Sequence, residues 1–404
     1  MLGSAYASFA RHGDFFLKAS ADQSNSLSAE WLALLECANP HADVFRLNDV
    51  FRKPLDFCGL LTLADEQGML PLLTRQLGLL DEGITPAEVG QKLRDAARAQ
   101  TLFTLSLTAE LFRVLDRFAA LGIAALLTKG PVLSARCYGH PGLRQYTDLD
   151  FVLRDDDVHR ATEAMMELGY EPKVPLKAIQ AKKAPGEYVF VRNGTKLLVE
   201  FHTERTFRYH PKPLSVDTLF ERQVSVRFDG HGVPALSNED ELILICIHGA
   251  KHFWERLMWI ADVAALVSRQ TIDWSRAMAA ASAVQAERML QIGLLLAKNM
   301  LGARLPSELL DRFRADTAAS GMAVRIARRL PVVESEPFGL LGRAAFRVRM
   351  RGGFLPGVAY LLRLSLSPTE EDWVAGAEEK RPGMLDAIAR PFRLARKYGR
   401  NDRL

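Results

Sequence analysis

The sequence has little that would mark a secreted, membrane-spanning or metal-stapled protein. Only four cysteines occur in 404 residues, Cys37, Cys58, Cys137 and Cys246. They are far apart, without the paired spacing of a structural zinc site or the density of a disulfide scaffold, which leaves reduced thiols in a core. No run approaches the roughly 20 apolar residues that a membrane-spanning helix needs; even the stretch from Leu257 to Val267 contains Asp262. Met1 to Ser20 holds no unbroken apolar segment, because Arg11, His12, Asp14 and Lys18 interrupt it, so no secretory leader is expected. Charge of one sign is scarce too: 52 Lys and Arg against 48 Asp and Glu leave +4, which gives no ground for nucleic-acid binding from composition. Internal repeats and low-complexity tracts are absent. The expectation is a cytoplasmic globular protein without a transmembrane segment.

What is present is a change of hydrophobic period in the middle of the chain. From Ser28 to Leu80 apolar residues recur at helical spacing, broken at Pro40, Pro54, Gly59, Gly68 and Pro71, which predicts several short packed helices. Thr85 as N-cap and Pro86 at the first helical position then open a long helix to about Leu121, ended by Gly122. Ile123 to Leu127 suits a short buried strand, Pro131 to Tyr138 a helix, and Asp148 to Leu153 a strand. Asp155, Asp156 and Asp157 sit where a helix to Leu168 would start, with Gly169 closing it. Glu187 to Arg192 and Lys196 to His202 flank Asn193-Gly194, a strong hairpin signal. Asn238 with Glu241 reads as a capping-box start, and the remainder to Arg403 is mostly helical, with breaks near Gly302, Pro306, Gly352-Gly353, Pro356, Pro368 and Pro382. The fold class expected is α+β: a small mixed β-sheet core over 101–235, flanked by helical regions over 1–100 and 236–404.

The chemistry concentrates in that middle region. Residues i and i+2 of a strand share a face, so Asp148 and Asp150 present two carboxylates side by side. Like charges that close resist joint ionisation unless a cation joins them, and Mg²⁺, which binds through one or two carboxylates plus substrate phosphates, answers that need. By itself the pair also fits a solvated strand edge. Lys129-Gly130 ends one strand and Pro131 opens a helix, so free backbone N–H groups and the positive helix end could receive a phosphate, with Lys129 adding a point charge. A plain turn with a surface lysine is the competing reading. Glu200 stands in an otherwise apolar strand, Leu197 to His202, where an unpartnered carboxylate is costly, and a metal-bound dyad on a neighbouring strand would supply a partner. His202 shares its face and either contacts substrate, orients Glu200, or is simply a satisfied histidine.

Thr128-Lys129-Gly130, Tyr138, Gly142-Leu143-Arg144, Thr147-Asp148-Leu149-Asp150-Phe151-Val152 and Glu200-Phe201-His202 together resemble the uncharacterised nucleotidyltransferase family. The resemblance is strong over about residues 100 to 265 and looser beyond. It implies a fold similar to DNA polymerase β, with Mg²⁺ as cofactor and an NTP as cosubstrate. It implies a metal and catalytic set of Asp148, Asp150 and Glu200, and nucleotide contacts from Lys129, Gly130, Arg144 and His202. Two departures stand out: the common Gly-Gly or Gly-Ser turn is Lys-Gly-Pro here, and the third carboxylate is Glu rather than Asp. An ordinary salt bridge is the other reading of Arg144. The acceptor, a hydroxyl on a sugar, small molecule, protein or nucleic acid, is not readable from the sequence.

Other readings of the same residues are a metal-dependent glycosyltransferase using a nucleotide sugar, which leaves Lys129-Gly130 and Glu200 unexplained, and a non-catalytic nucleotide-binding regulatory protein. His248 and His252, four apart on a predicted helix, have the spacing of a zinc pair. The metalloprotease signature needs a glutamate after the first histidine, and Gly249 stands there; the resemblance extends through this helix and implies instead a role in framing the nucleotide or acceptor pocket. Trp254 and Trp259 are expected to pack on the catalytic sheet. Arg343, Arg347, Arg349 and Arg351, with Arg390, Arg393, Arg396, Lys397 and Arg400, form positive runs that read as solvated helix faces or as a field steering an anionic acceptor.

Overall fold

A computed structural model of the chain describes residues 27–176, 179, 187–195, 197–204, 215–331, 340–351 and 354–366. The N-terminal helices are α1 (Ala29–Ala38), α2 (Val44–Phe51), α3 (Phe57–Glu66) and α4 (Leu70–Leu77). Three of them start where a side chain can take an otherwise unpaired N–H: Ser28 accepts from Trp31, Asp43 from Arg46 and Asp56 from Cys58. The long helix α5 (Ala87–Ala120) begins one residue later than expected. Pro86 is still extended, with ψ 141°, so the cap position falls on it rather than on Thr85.

The middle region holds β1 (Leu126–Thr128), α6 (Gly130–Tyr138), β2 (Asp148–Val152), α7 (Val158–Glu167), β3 (Tyr170–Pro172), β4 (Glu187–Arg192), β5 (Leu198–His202), α8 (Val216–Glu221), β6 (Val224–Phe228) and β7 (His231–Ala235). The first strand starts later than its apolar run because the N–H of Ile123 returns to Phe118 O at 2.9 Å, which makes that residue part of the helix's closing turn. The expected start of β5 at Lys196 lies outside the described residues. Strands β3, β6 and β7 were not expected. Among the described residues the seven strands form one mixed sheet in the order β3-β4-β5-β2-β1-β7-β6. Its centre combines a parallel pair, β2 with β5, and an antiparallel pair, β1 with β2.

One face of this sheet is dry. Leu149, Phe151, Val199 and Phe201 point to one side by strand alternation and pack with Leu107, Leu111, Val114 and Phe118 of α5 and Ala161 and Met165 of α7. Phe118 meets Phe151 and Phe201 edge-on at 6.2 and 5.8 Å. The opposite face carries the polar residues of β2 and β5, with a small apolar cluster of Leu126, Val152, Val216, Leu219, Phe220 and Leu236 beside them.

The C-terminal part is helical: α9 (Asn238–Lys251), α10 (Leu257–Arg269), α11 (Trp274–Ala283), α12 (Glu287–Leu301), α13 (Ser307–Arg314), α14 (Thr317–Arg329), α15 (Leu340–Arg349) and α16 (Phe354–Leu366). The cap of α9 is Ser237, which accepts from Asp240 N, and not Asn238. Asn238 and Glu241 are instead drawn to Arg136, the second of them also to Lys129. A single hydrophobic core joins α1–α4 to the C-terminal helices, with Leu133, Cys137 and Tyr138 of α6 included. Pro356 sits in the first turn of α16, where a missing N–H costs nothing.

Trp254 belongs to that helical core and not to the sheet. A Cβ on Gly249 would lie 2.5 Å from its ring, and one on Gly293 2.9 Å, so the indole is wedged between α9 and α12 at two residues without side chains. All four cysteines are free, but Cys58 is exposed on α3 and only the other three are core thiols. Arg351 is buried and lies over the Tyr360 ring at 3.6 Å, while Arg343 and Arg347 lie over Phe253. These arginines are packed rather than solvated; residues 390–400 lie outside the described residues. No helix among the described residues is long and apolar enough to cross a membrane.

Candidate active site

The turn after β1 is the most unusual backbone in the site. Lys129 has φ 52° and ψ −141°, a region that is nearly glycine-only, and Gly130 follows at φ 55°. Such a conformation persists only where neighbours over-determine it. Here Glu241, on α9, accepts the Lys129 N–H at 3.3 Å, and the Lys129 ammonium reaches Asp150 Oδ2 at 3.4 Å. The backbone N–H of Lys129 is therefore committed to Glu241 rather than facing outward as a phosphate donor. Glu241 is 1% exposed and also lies 3.8 Å from the Arg136 guanidinium.

Pairing of β2 with β5 brings the expected carboxylates together. The parallel register sets Asp150 opposite Glu200 and Val152 opposite His202, and alternation then puts Asp148, Asp150, Glu200 and His202 on one face. Their environments differ. Asp150 is 3% exposed; His202 Nε2 lies 2.7 Å from its Oδ1, and Lys129 contacts its other oxygen. Glu200 is half-buried, 3.7 Å from His202 Nε2. The histidine orients Asp150 more closely than it does Glu200.

These surroundings separate the protonation behaviour of the three acids. Burial opposes ionisation of Asp150, but the Lys129 charge and the His202 hydrogen bond outweigh it and hold the carboxyl well below the usual range. Asp148 is pushed up by burial and then by the charge of Asp150, against the pull of Lys129 and Arg144. Glu200 is pushed up to about 7 by burial first and Asp150 second. Burial disfavours the charged forms of Lys129 and His202, yet both are raised, the first by the Asp150 and Asp148 charges and the second by its bond to Asp150. The result is one firmly ionised carboxylate and two that resist ionisation beside it.

Arg144 is buried, and its Nε donates to Asp262 Oδ2 at 2.8 Å, while Tyr138 Oη donates to Asp262 Oδ1 at 2.8 Å. The arginine expected at the phosphates is thus clamped from α10, and its charge still acts on Asp148 and Lys129. His248, His252 and Trp259 form an aromatic group next to this clamp, with ring centroids 4.6 to 5.6 Å apart. Of these residues, the sequence marks Glu241 only as a cap and Asp262 only as a break in an apolar run; their partners lie 112 and 118 positions away, beyond any local pattern.

A cation fits this arrangement. One ligand atom each from Asp150, Glu200 and His202 lies within 4.8 Å of the others, and Asp148 adds a carboxylate whose ionisation a cation would favour. A family model described as "Uncharacterised nucleotidyltransferase" matches residues 53–302, well over half of the chain. No curated protein and no solved structure matches it.

Proposed function

Because the chain belongs to the uncharacterised nucleotidyltransferase family, we propose that it transfers a nucleoside monophosphate from an NTP to a hydroxyl of an acceptor, releasing pyrophosphate. Asp148, Asp150 and Glu200 would hold Mg²⁺, with His202 beside them. The metal supplies charge neutralisation at the phosphates and favours the anionic acceptor oxygen. The observation that carries this reading is the register of β2 on β5, which unites carboxylates 50 positions apart in the chain, Asp150 and Glu200, on one half-enclosed face.

In this reading the acceptor oxygen attacks the α-phosphorus, a P–O bond forms, and the bond to the β-phosphate oxygen breaks. Glu200, ionised beside the cation, takes the proton of the acceptor hydroxyl as general base. The Lys129 ammonium and Arg144, oriented by Asp262 and Tyr138, bind the departing phosphates. His202 keeps Asp150 in one rotamer. We place the catalytic region at 101–235, the helices before and after it framing the acceptor, and the protein in the cytoplasm where NTP is supplied.

The test is incubation of the full chain with Mg²⁺, a metabolite pool and NTPs labelled at either the α- or the γ-phosphate. Transfer of the α label with pyrophosphate release supports the reading. Transfer of the γ label alone makes the protein a kinase and overturns it.

A further inference from the structure

The His248–His252–Trp259 group sits on two helices that both hold the phosphate-facing residues. On α9, Glu241, which accepts the Lys129 N–H, and His248 are seven residues apart, so they share a face about 10 Å apart along the axis. On α10, Trp259 and Asp262, which clamps Arg144, are three apart and also share a face. His252, at the end of α9, closes the group with its ring tilted 32° to Trp259 at 5.1 Å.

Three further features describe what this surface can bind. All three rings are half-buried, and none makes a hydrogen bond through its nitrogens to a described residue, their contacts being ring on ring. Both imidazoles are neutral, because burial first and then the charges of Lys129 and Lys251 depress their protonation, His252 to about 4. The shared face of α9, on which His248 follows Glu241 by two turns, puts the group on the side of the proposed phosphate site. A neutral aromatic surface with ring nitrogens that no described residue engages suits a flat heteroaromatic ligand rather than an anion.

We propose that the base of the bound nucleoside triphosphate stacks on this aromatic group while its phosphates lie toward Lys129 and Arg144. This rests on the nucleotidyl reading and adds to it a base-recognition subsite built from His248, His252 and Trp259. The ring nitrogens give that subsite the means to read the edge of the base.

The experiment is calorimetric titration of the full chain in Mg²⁺ with each of ATP, GTP, CTP and UTP, and separately with inorganic tripolyphosphate. It compares wild type, Trp259→Leu and Trp259→Phe, with melting temperatures taken alongside. Trp259→Leu keeps apolar volume against the helical core and removes the aromatic ring; Trp259→Phe restores one. The expected result is a loss of roughly 10- to 100-fold for the tightest nucleotide in Trp259→Leu. Most of that loss is recovered in Trp259→Phe, and tripolyphosphate affinity is the same in all three. Equal nucleotide affinity in wild type and Trp259→Leu overturns the subsite, and so does a parallel fall in tripolyphosphate affinity. Wild type that binds tripolyphosphate as tightly as any nucleotide also overturns it, while leaving the phosphate site standing. Wild type that binds neither removes the nucleotidyl reading and the subsite together.

Discussion

Asp148 and Asp150 look equivalent in sequence and are opposites in their surroundings. Asp150 is ionised because Lys129 and His202 are committed to it, so its charge stabilises the fold. Its folded pKa is depressed, and that stability is present above the unfolded value and lost as pH falls through the folded one. Asp148 has a raised folded pKa, so its ionisation at neutral pH opposes folding. Thermal unfolding without metal should therefore show Asp148→Asn at or above the wild-type melting temperature. Asp150→Asn, which leaves Lys129 and His202 short of their partner, should fall by about 1–3 kcal/mol in stability. Equal shifts in both variants would contradict the assignment. Lys129→Gly relieves a backbone conformation with φ 52° but removes the ammonium and leaves the buried Asp150 without its cation. It should lower stability and also lose triphosphate affinity by about 1.5–3 kcal/mol, the scale of a hydrogen bond to a charged group. Titration with Mg·ATP would find unchanged affinity if this lysine served only the turn.

Elements with a local signature were legible in the sequence: the alternation of β2, the Asn193-Gly194 hairpin, and the helix of Pro131 to Tyr138. The pair β6 and β7 flanks Asp229-Gly230, a turn of the same kind, and Val224, Val226 and Phe228 alternate with polar residues, so this hairpin too has a local signature in the sequence. Strand β3, at three residues, is too short to show a period and exists because it pairs with β4. The fate of Trp254 was not legible either, since it depends on Gly249 and Gly293 from separate helices meeting one ring. Gly293→Ala places a methyl against both that indole and the Cys246 sulfur, 2.6 Å away. With no flexible side-chain end to yield on the indole side, overpacking should cost about 1–3 kcal/mol, read as a lower urea midpoint at unchanged slope. A midpoint equal to wild type would mean that α9 and α12 are not in close contact at this ring.

Across the whole molecule, the site depends on contacts between regions far apart in sequence: Lys129 with Glu241, Arg144 with Asp262, and β2 with β5. The carboxylates and the Lys-Gly turn were visible as residue types at telling spacings, whereas the helices that hold them were visible only as helices. Global stability should carry the mark of the buried, neutral histidines. The folded pKa of His252 is about 4, so between about 6.5 and 4 the unfolded chain binds a proton that the folded chain refuses. Stability should fall as pH drops through that window, and the fall should be smaller in His252→Gln, measured by urea unfolding at pH 7 and pH 5. An identical difference in both proteins would show this imidazole to be free to protonate. If carboxylates from two strands act as one catalytic centre, Glu200→Gln in the full chain separates binding from turnover. Raised to about 7 by burial and Asp150, this carboxyl opposes folding when ionised, so the metal-free variant should melt at or above wild type near neutral pH. It should bind Mg·NTP and transfer the α-phosphate label at a rate lower by about 10²–10⁴, the usual contribution of a general base. A lowered melting temperature with near-wild-type transfer would make Glu200 a structural carboxylate outside the catalytic centre.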